Sequence, residues 1–166
     1  MPAAAQLLPF LPIPVLAFVA LTDLVSRRVP NWVCAFIAGF GLATRAASGN
    51  LLPSLLVAAL VFAALLFLWT RAMIGGGDVK LLAACTLMVP VHAVPTLVLS
   101  VSLAGGVLAL LYLPGRFRAV PGRLLAAPKS LFLRIFRVEA WRSRRRAPLP
   151  YACAIAAGCV FTLVTG

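Results

Sequence analysis

Six apolar runs separated by short polar joints leave this chain almost no way to fold in water. They cover residues 5–25, 31–47, 51–70, 79–95, 96–113 and 149–165. A helix crosses the hydrocarbon of a bilayer with about 20 residues, and about 17 can suffice. Inside hydrocarbon the backbone must satisfy its own hydrogen bonds, and helices do so within one segment. The pattern predicts an all-α polytopic membrane protein, a six-transmembrane-helix bundle forming one domain over residues 1–166. Runs four and five are nearly continuous, and Pro90, His92 and Pro95 mark the turn between them. The first run lacks the basic start and small-residue cleavage site of a secretory leader, so it reads as a retained span.

Composition agrees. The chain has 166 residues, 63% of them hydrophobic, and a mean hydropathy of +1.08. A soluble domain of this length keeps too much surface to hide that apolar content. Cys34, Cys85, Cys153 and Cys159 fall inside the runs with no CxxC pair, so they read as small packing residues rather than a zinc site or disulfide framework.

Charge sets the orientation. There are 15 Lys and Arg against 3 Asp and Glu, a net +12. In a soluble protein this balance points to nucleic acid, but here the cations sit between apolar runs, so no nucleic-acid partner is expected. Arg27 and Arg28 follow run one, Arg71 and Lys80 flank the joint after run three, and Arg116 to Arg146 fill the joint before run six. Placing these joints in the cytoplasm leaves only Arg45 outside, as the positive-inside rule asks. Both termini then face away from the cytoplasm, and the expected location is the bacterial cytoplasmic (inner) membrane.

The basic cytoplasmic loop, residues 114–148, interleaves Leu124, Leu131, Leu133, Ile135 and Phe136 with Arg123, Lys129, Arg134 and Arg137. This reads as an interfacial amphipathic helix, broken at Pro128, that anchors on anionic membrane lipids. A substrate-gating role is the sharper alternative. Glycines and alanines at close spacing (Gly39, Gly41, Gly105, Gly106, Ala154, Gly158) suit close helix packing. Oligomeric state stays open, a homo-oligomer included.

The acidic residues are only Asp23, Asp78 and Glu139. Glu139 lies in the basic loop, where a salt bridge explains it. A carboxylate at a membrane helix centre costs about 2.5–3.5 kcal/mol on insertion scales, so Asp23 and Asp78 are functional suspects. Hydropathy and charge bias put both at the cytoplasmic ends of their runs, at one depth. Two close carboxyls share a proton. The neutral one can polarise a peptide carbonyl while the ionised one takes a proton from attacking water. His92, the lone histidine, falls on the opposite side, so metal and triad chemistry lack their parts, and neither metal nor cofactor is expected.

Gly75, Gly76 and Gly77 provide a backbone that can bend beside a substrate strand. Asp78 then opens run four, where the helix N-terminus, and Lys80 if its ammonium is near, favour its ionised form. The plainer reading is a glycine turn with Asp78 as N-cap. After Asp23, Pro30 and Asn31 mark a turn, with Asn31 as N-cap of the second helix. Arg27 and Arg28 are topology signals first, and could also hold an anionic group.

These residues resemble a known family. Asp23 with Arg28, Val29, Pro30 and Asn31 is similar to the D-x₄-R-[IV]-P-N element of type IV prepilin peptidases. Gly75 to Lys80 resembles their G-x-G-D-x-K element, and Pro150 to Gly158 their P-[YF]-x₂-A-I-A-x-G signature. The three fall in family order. The resemblance implies a membrane aspartyl protease, a hydrolase that cleaves a short basic leader from pilin-like precursors at the cytoplasmic face. It implies Asp23 and Asp78 as catalytic residues, with Gly75, Gly76, Gly77, Lys80, Arg28, Pro30 and Asn31 shaping the site. Larger members carry a cysteine-rich cytoplasmic insert and also N-methylate the product. This chain lacks the insert and so resembles the compact tight-adherence (Flp pilus) branch, with protease but no methyltransferase activity expected. Two rival readings are a proton- or cation-coupled transporter and a non-catalytic pilus or secretion assembly subunit.

Overall fold

A computed structural model describes residues 11–27, 29–117 and 149–165. The regular structure in them is helical: α1 (Ile13–Ser26), α2 (Asn31–Ala47), α3 (Leu51–Thr70), α4 (Gly76–Met88), a 3₁₀ turn (Val91–Ala93), α5 (Val94–Phe117) and α6 (Tyr151–Thr165). Residues 118–148 lie outside the described residues, and the amphipathic helix expected there lies with them.

Prolines set several of the boundaries. One stands in the first turn of α1, where its missing N–H leaves no bond unmade. Pro30 is the extended residue before α2, with φ −65° and ψ 132°. It takes the N-cap position that the sequence suggested for Asn31, which is instead the first helical residue. The fourth run was expected to reach residue 95, yet α4 stops at Met88. Val89 is extended (ψ 152°) and Pro90 cannot continue the helix. Pro95 therefore falls in the first turn of α5 rather than in the joint.

Leu51–Thr70 and Val91–Leu113 are long and apolar enough to cross a membrane. Their outward faces are apolar as well. Leu52, Leu56 and Leu60 on α3, and Leu103, Leu110 and Leu111 on α5, are each more than 60% exposed. A surface of this kind suits lipid rather than water. Lipid tails are as apolar as leucine, so helix association must come from close packing. Two glycines show it. A Cβ at Gly158 of α6 would lie 2.6 Å from the Val101 backbone nitrogen of α5. One at Gly41 of α2 would lie 2.7 Å from the Leu87 carbonyl carbon of α4.

The helices alternate in direction. α4 packs on α2, α3 and α6, and α6 packs on α5 and α1. Leu16, Ile37, Leu81, Leu97 and Ile155 fill the space between them and are fully buried. At one end Arg45 closes α2 against α4 by donating from Nη2 to the Met88 carbonyl at 3.0 Å, a cation on a helix C-terminus. At the other end the last turn of α1 meets the first turn of α6, and Asp78 stands in the first turn of α4, within reach of the charge of Asp23.

Candidate active site

Asp23 is near the end of α1 and only 6% exposed. A carboxylate buried this deeply needs donors. The first turn of α6 supplies one: the Ala152 N–H donates to Asp23 Oδ2 at 3.2 Å. The reason is legible in α6 itself. Helix N-termini leave N–H groups without intrahelical partners, and a side-chain oxygen at the cap usually accepts one. Pro150 precedes α6 and has no such oxygen. Asp23, from a helix 129 residues earlier, accepts in its place. The Cys153 thiol also donates to the Ala20 carbonyl at 3.3 Å, so α1 and α6 are joined twice at this end.

Asp78 is held locally. The residue before α4 is Gly75, extended at φ −72° and ψ 141°. Asp78 is the third residue of the helix, not its cap, which corrects the N-cap reading. Its carboxyl folds back to accept the Gly75 N–H, and its own N–H donates to the Gly75 carbonyl at 3.1 Å. This is half of a capping box, with the acidic residue three positions into the helix reaching back to the cap. A Cβ at Gly75 would stand 2.9 Å from Asp78 Oδ2, so a larger residue there would displace the folded-back carboxyl. At Gly76 a Cβ would sit 3.2 Å from the Trp69 indole nitrogen, and at Gly77 3.4 Å from Val29, an ordinary contact.

The two carboxyls lie close enough for the charge of Asp23 to act on Asp78. Asp23 is enclosed, whereas Asp78 is half-buried. Each carboxyl accepts a backbone N–H at the positive end of a helix, so the site places two acidic groups against two helix N-termini. Such a pair can hold one proton between them, present one neutral and one ionised oxygen to a peptide, and activate a water.

The other expected site residues divide. Gly75, Gly76 and Gly77 lead into Asp78, and Pro30 precedes α2 next to Val29, which lies against Gly77. Lys80 does not accompany Asp78. Two residues along a helix turn the side chain about 200°, and its Nζ donates to Asn31 Oδ1 at 3.3 Å on the face toward α2. The ammonium therefore does not lie beside the Asp78 carboxyl. Arg28 lies outside the described residues. His92 is exposed in the 3₁₀ turn at the opposite end. The four cysteines form no disulfide, and three of them are buried. Among the described residues, no three His, Cys, Asp or Glu are grouped to hold a metal. Sequence reasoning missed the Ala152 N–H. The available signal was a helix opening on proline with no capping side chain of its own.

The family model described as the type IV leader peptidase family matches residues 10–110, more than half of the chain and a stretch that includes Asp23 and Asp78. No curated protein and no solved structure matches.

Proposed function

This chain belongs to the type IV leader peptidase family, and from that premise we propose that Asp23 and Asp78 are its catalytic pair. The observation that carries the reading is their meeting at one end of the bundle, within reach of each other's charge. The proposed enzyme is a membrane aspartyl endopeptidase of the compact Flp branch. Its substrate is a pilin-like precursor with a short basic leader ahead of an apolar helix. No methyltransferase activity accompanies it.

The chemistry follows from one shared proton. The protonated carboxyl donates to the oxygen of the scissile carbonyl and draws charge from its carbon. The ionised carboxylate takes a proton from water as the water oxygen attacks, giving a tetrahedral diol. Collapse breaks the C–N bond as the carboxyl proton passes to the leaving amine, and a diol hydroxyl gives its proton to the other carboxylate, so the pair again holds one proton. Attack from the side of Asp78, the less buried of the two, suits the burial of Asp23. The positions of the cations support placing this end at the cytoplasmic face of the inner membrane. All six helices then cross the bilayer, α3 and α5 with their apolar faces toward lipid.

Co-expression with a pilin precursor tests the assignment. Wild type shortens the precursor, while Asp23→Asn and Asp78→Asn each insert normally and leave it full length. Cleavage surviving either change removes that aspartate from the mechanism.

A further inference from the structure

The face of α4 opposite Asp78 carries a second feature. Here α2 and α3 both run along α4 while touching each other little. The cleft between them is a groove of about 520 Å³. Its floor is Ala83 and Ala84, and its walls include Ala38 of α2 and Ala58 of α3. Among the described residues Lys80 is the one charged residue that lines it, and Asn31 lies beside Lys80 at the same end.

We propose that this groove binds one anionic phospholipid of the inner leaflet, with an acyl chain between α2 and α3 and the phosphate on Lys80 and Asn31. The length of the groove favours a lipid over a transmembrane helix. Its lining runs along α4 from Lys80 to Leu87, a rise of seven residues. At 1.5 Å per residue that is about 10 Å, inside one leaflet of a core about 30 Å thick. The groove ends there because Gly41 brings the α2 backbone onto Leu87. A substrate helix seated here would also have its cleavage point on the wrong side of α4.

Charge complementarity fixes the headgroup. Lys80 is exposed and spends one of its three N–H donors on Asn31 Oδ1. That bond orients the Asn31 amide so that its NH₂ can donate to the same anion. The remaining ammonium donors give the phosphate a charge-assisted bond. The proposal rests on the membrane orientation given above and not on the peptidase chemistry.

Native mass spectrometry of the detergent-released protein tests it, with phosphatidylglycerol and phosphatidylcholine of identical acyl chains as probes. Wild type should keep one phosphatidylglycerol in preference to phosphatidylcholine. Lys80→Gln should lower that preference about fivefold, as expected for one basic residue at a lipid surface, and Lys80→Arg should retain it. Ala59→Phe, which extends a side chain into the groove, should reduce retention of both lipids. Lys80 and Ala59 are exposed, so neither change disturbs the packed interior. Equal retention of the two lipids by wild type, or unchanged retention in both Lys80→Gln and Ala59→Phe, overturns the proposal. So does cross-linking of an Ala59→Cys groove to the apolar segment of a precursor instead of to lipid. Precursor cleavage is assayed separately, so loss of lipid binding and loss of peptidase activity are told apart.

Discussion

Asp23 and Asp78 reach the same end of the bundle by opposite means. Asp78 is set by its own neighbourhood, a glycine turn whose N–H it caps from three residues away. Asp23 is set at long range, by the N–H of Ala152, 129 residues later in the first turn of α6. A local support depends on backbone conformation in one turn, and a remote one depends on the packing of whole helices. The two carboxyls should therefore fail in different ways when their surroundings are changed.

The largest effect comes from the carboxyls themselves. Each Asp→Asn change should lower precursor cleavage about a thousandfold, the scale of a lost acid–base group. If the pair is one unit, Asp23→Asn with Asp78→Asn should be no worse than either alone. Additive losses in single-turnover assays would divide the pair into independent groups and end the comparison.

The next effect probes the local support. Gly75→Ala places a methyl 2.9 Å from Asp78 Oδ2, while Gly77→Ala meets only Val29 at 3.4 Å. Displacing a catalytic group by about 1 Å can cost about a hundredfold. Gly75→Ala should approach that loss, and Gly77→Ala should stay within about threefold of wild type. Equal effects on kcat would mean that the fold-back at Gly75 does not position Asp78.

This contrast also marks what the sequence could tell. The glycine turn and Asp78 are adjacent, so their partnership is written in consecutive residues, and only the register was misread: Asp78 is third in the helix, not its cap. Among the described residues helix identity was readable, because hydropathy fixes it run by run. The ends of runs four and five were not, since Val89 and Pro90 break the backbone inside a continuous apolar stretch. Lys80 looked close to Asp78 in the linear sequence, but helical rotation sends it to the opposite face. The link from Asp23 to Ala152 depends on how α6 docks, and hydropathy carries no information on docking.

A smaller effect probes the remote support. Gly158→Ala would force α6 away from Val101, whose backbone nitrogen lies 2.6 Å from the added methyl. Overpacking of this kind costs about 1–3 kcal/mol. Thermal unfolding in detergent should show a lower midpoint. Cleavage should fall with it, as the α6 N-terminus shifts beneath Asp23. An unchanged midpoint would show that α6 is not seated by this contact.

The smallest effect is a gain. Ala72 ends the turn after α3 at φ +54°, a left-handed conformation that costs a residue with a Cβ about 1 kcal/mol or more. Ala72→Gly should relieve that strain, partly offset by the greater freedom of glycine in the unfolded chain. Its unfolding midpoint should be equal to or slightly above that of wild type, with cleavage unchanged. A clear loss of stability would mean that the Ala72 side chain contributes packing that outweighs its backbone strain.

The most direct measurement asks whether the two side chains meet. In a variant with the four native cysteines replaced by alanine, Asp23→Cys and Asp78→Cys are introduced together and treated in membranes with a short bifunctional methanethiosulfonate. An intramolecular bridge is expected in most molecules, read as the mass of one spacer joining the peptides that contain positions 23 and 78. Two cysteines that each accept a monofunctional reagent yet never bridge would place the aspartates apart and contradict the proposed pair.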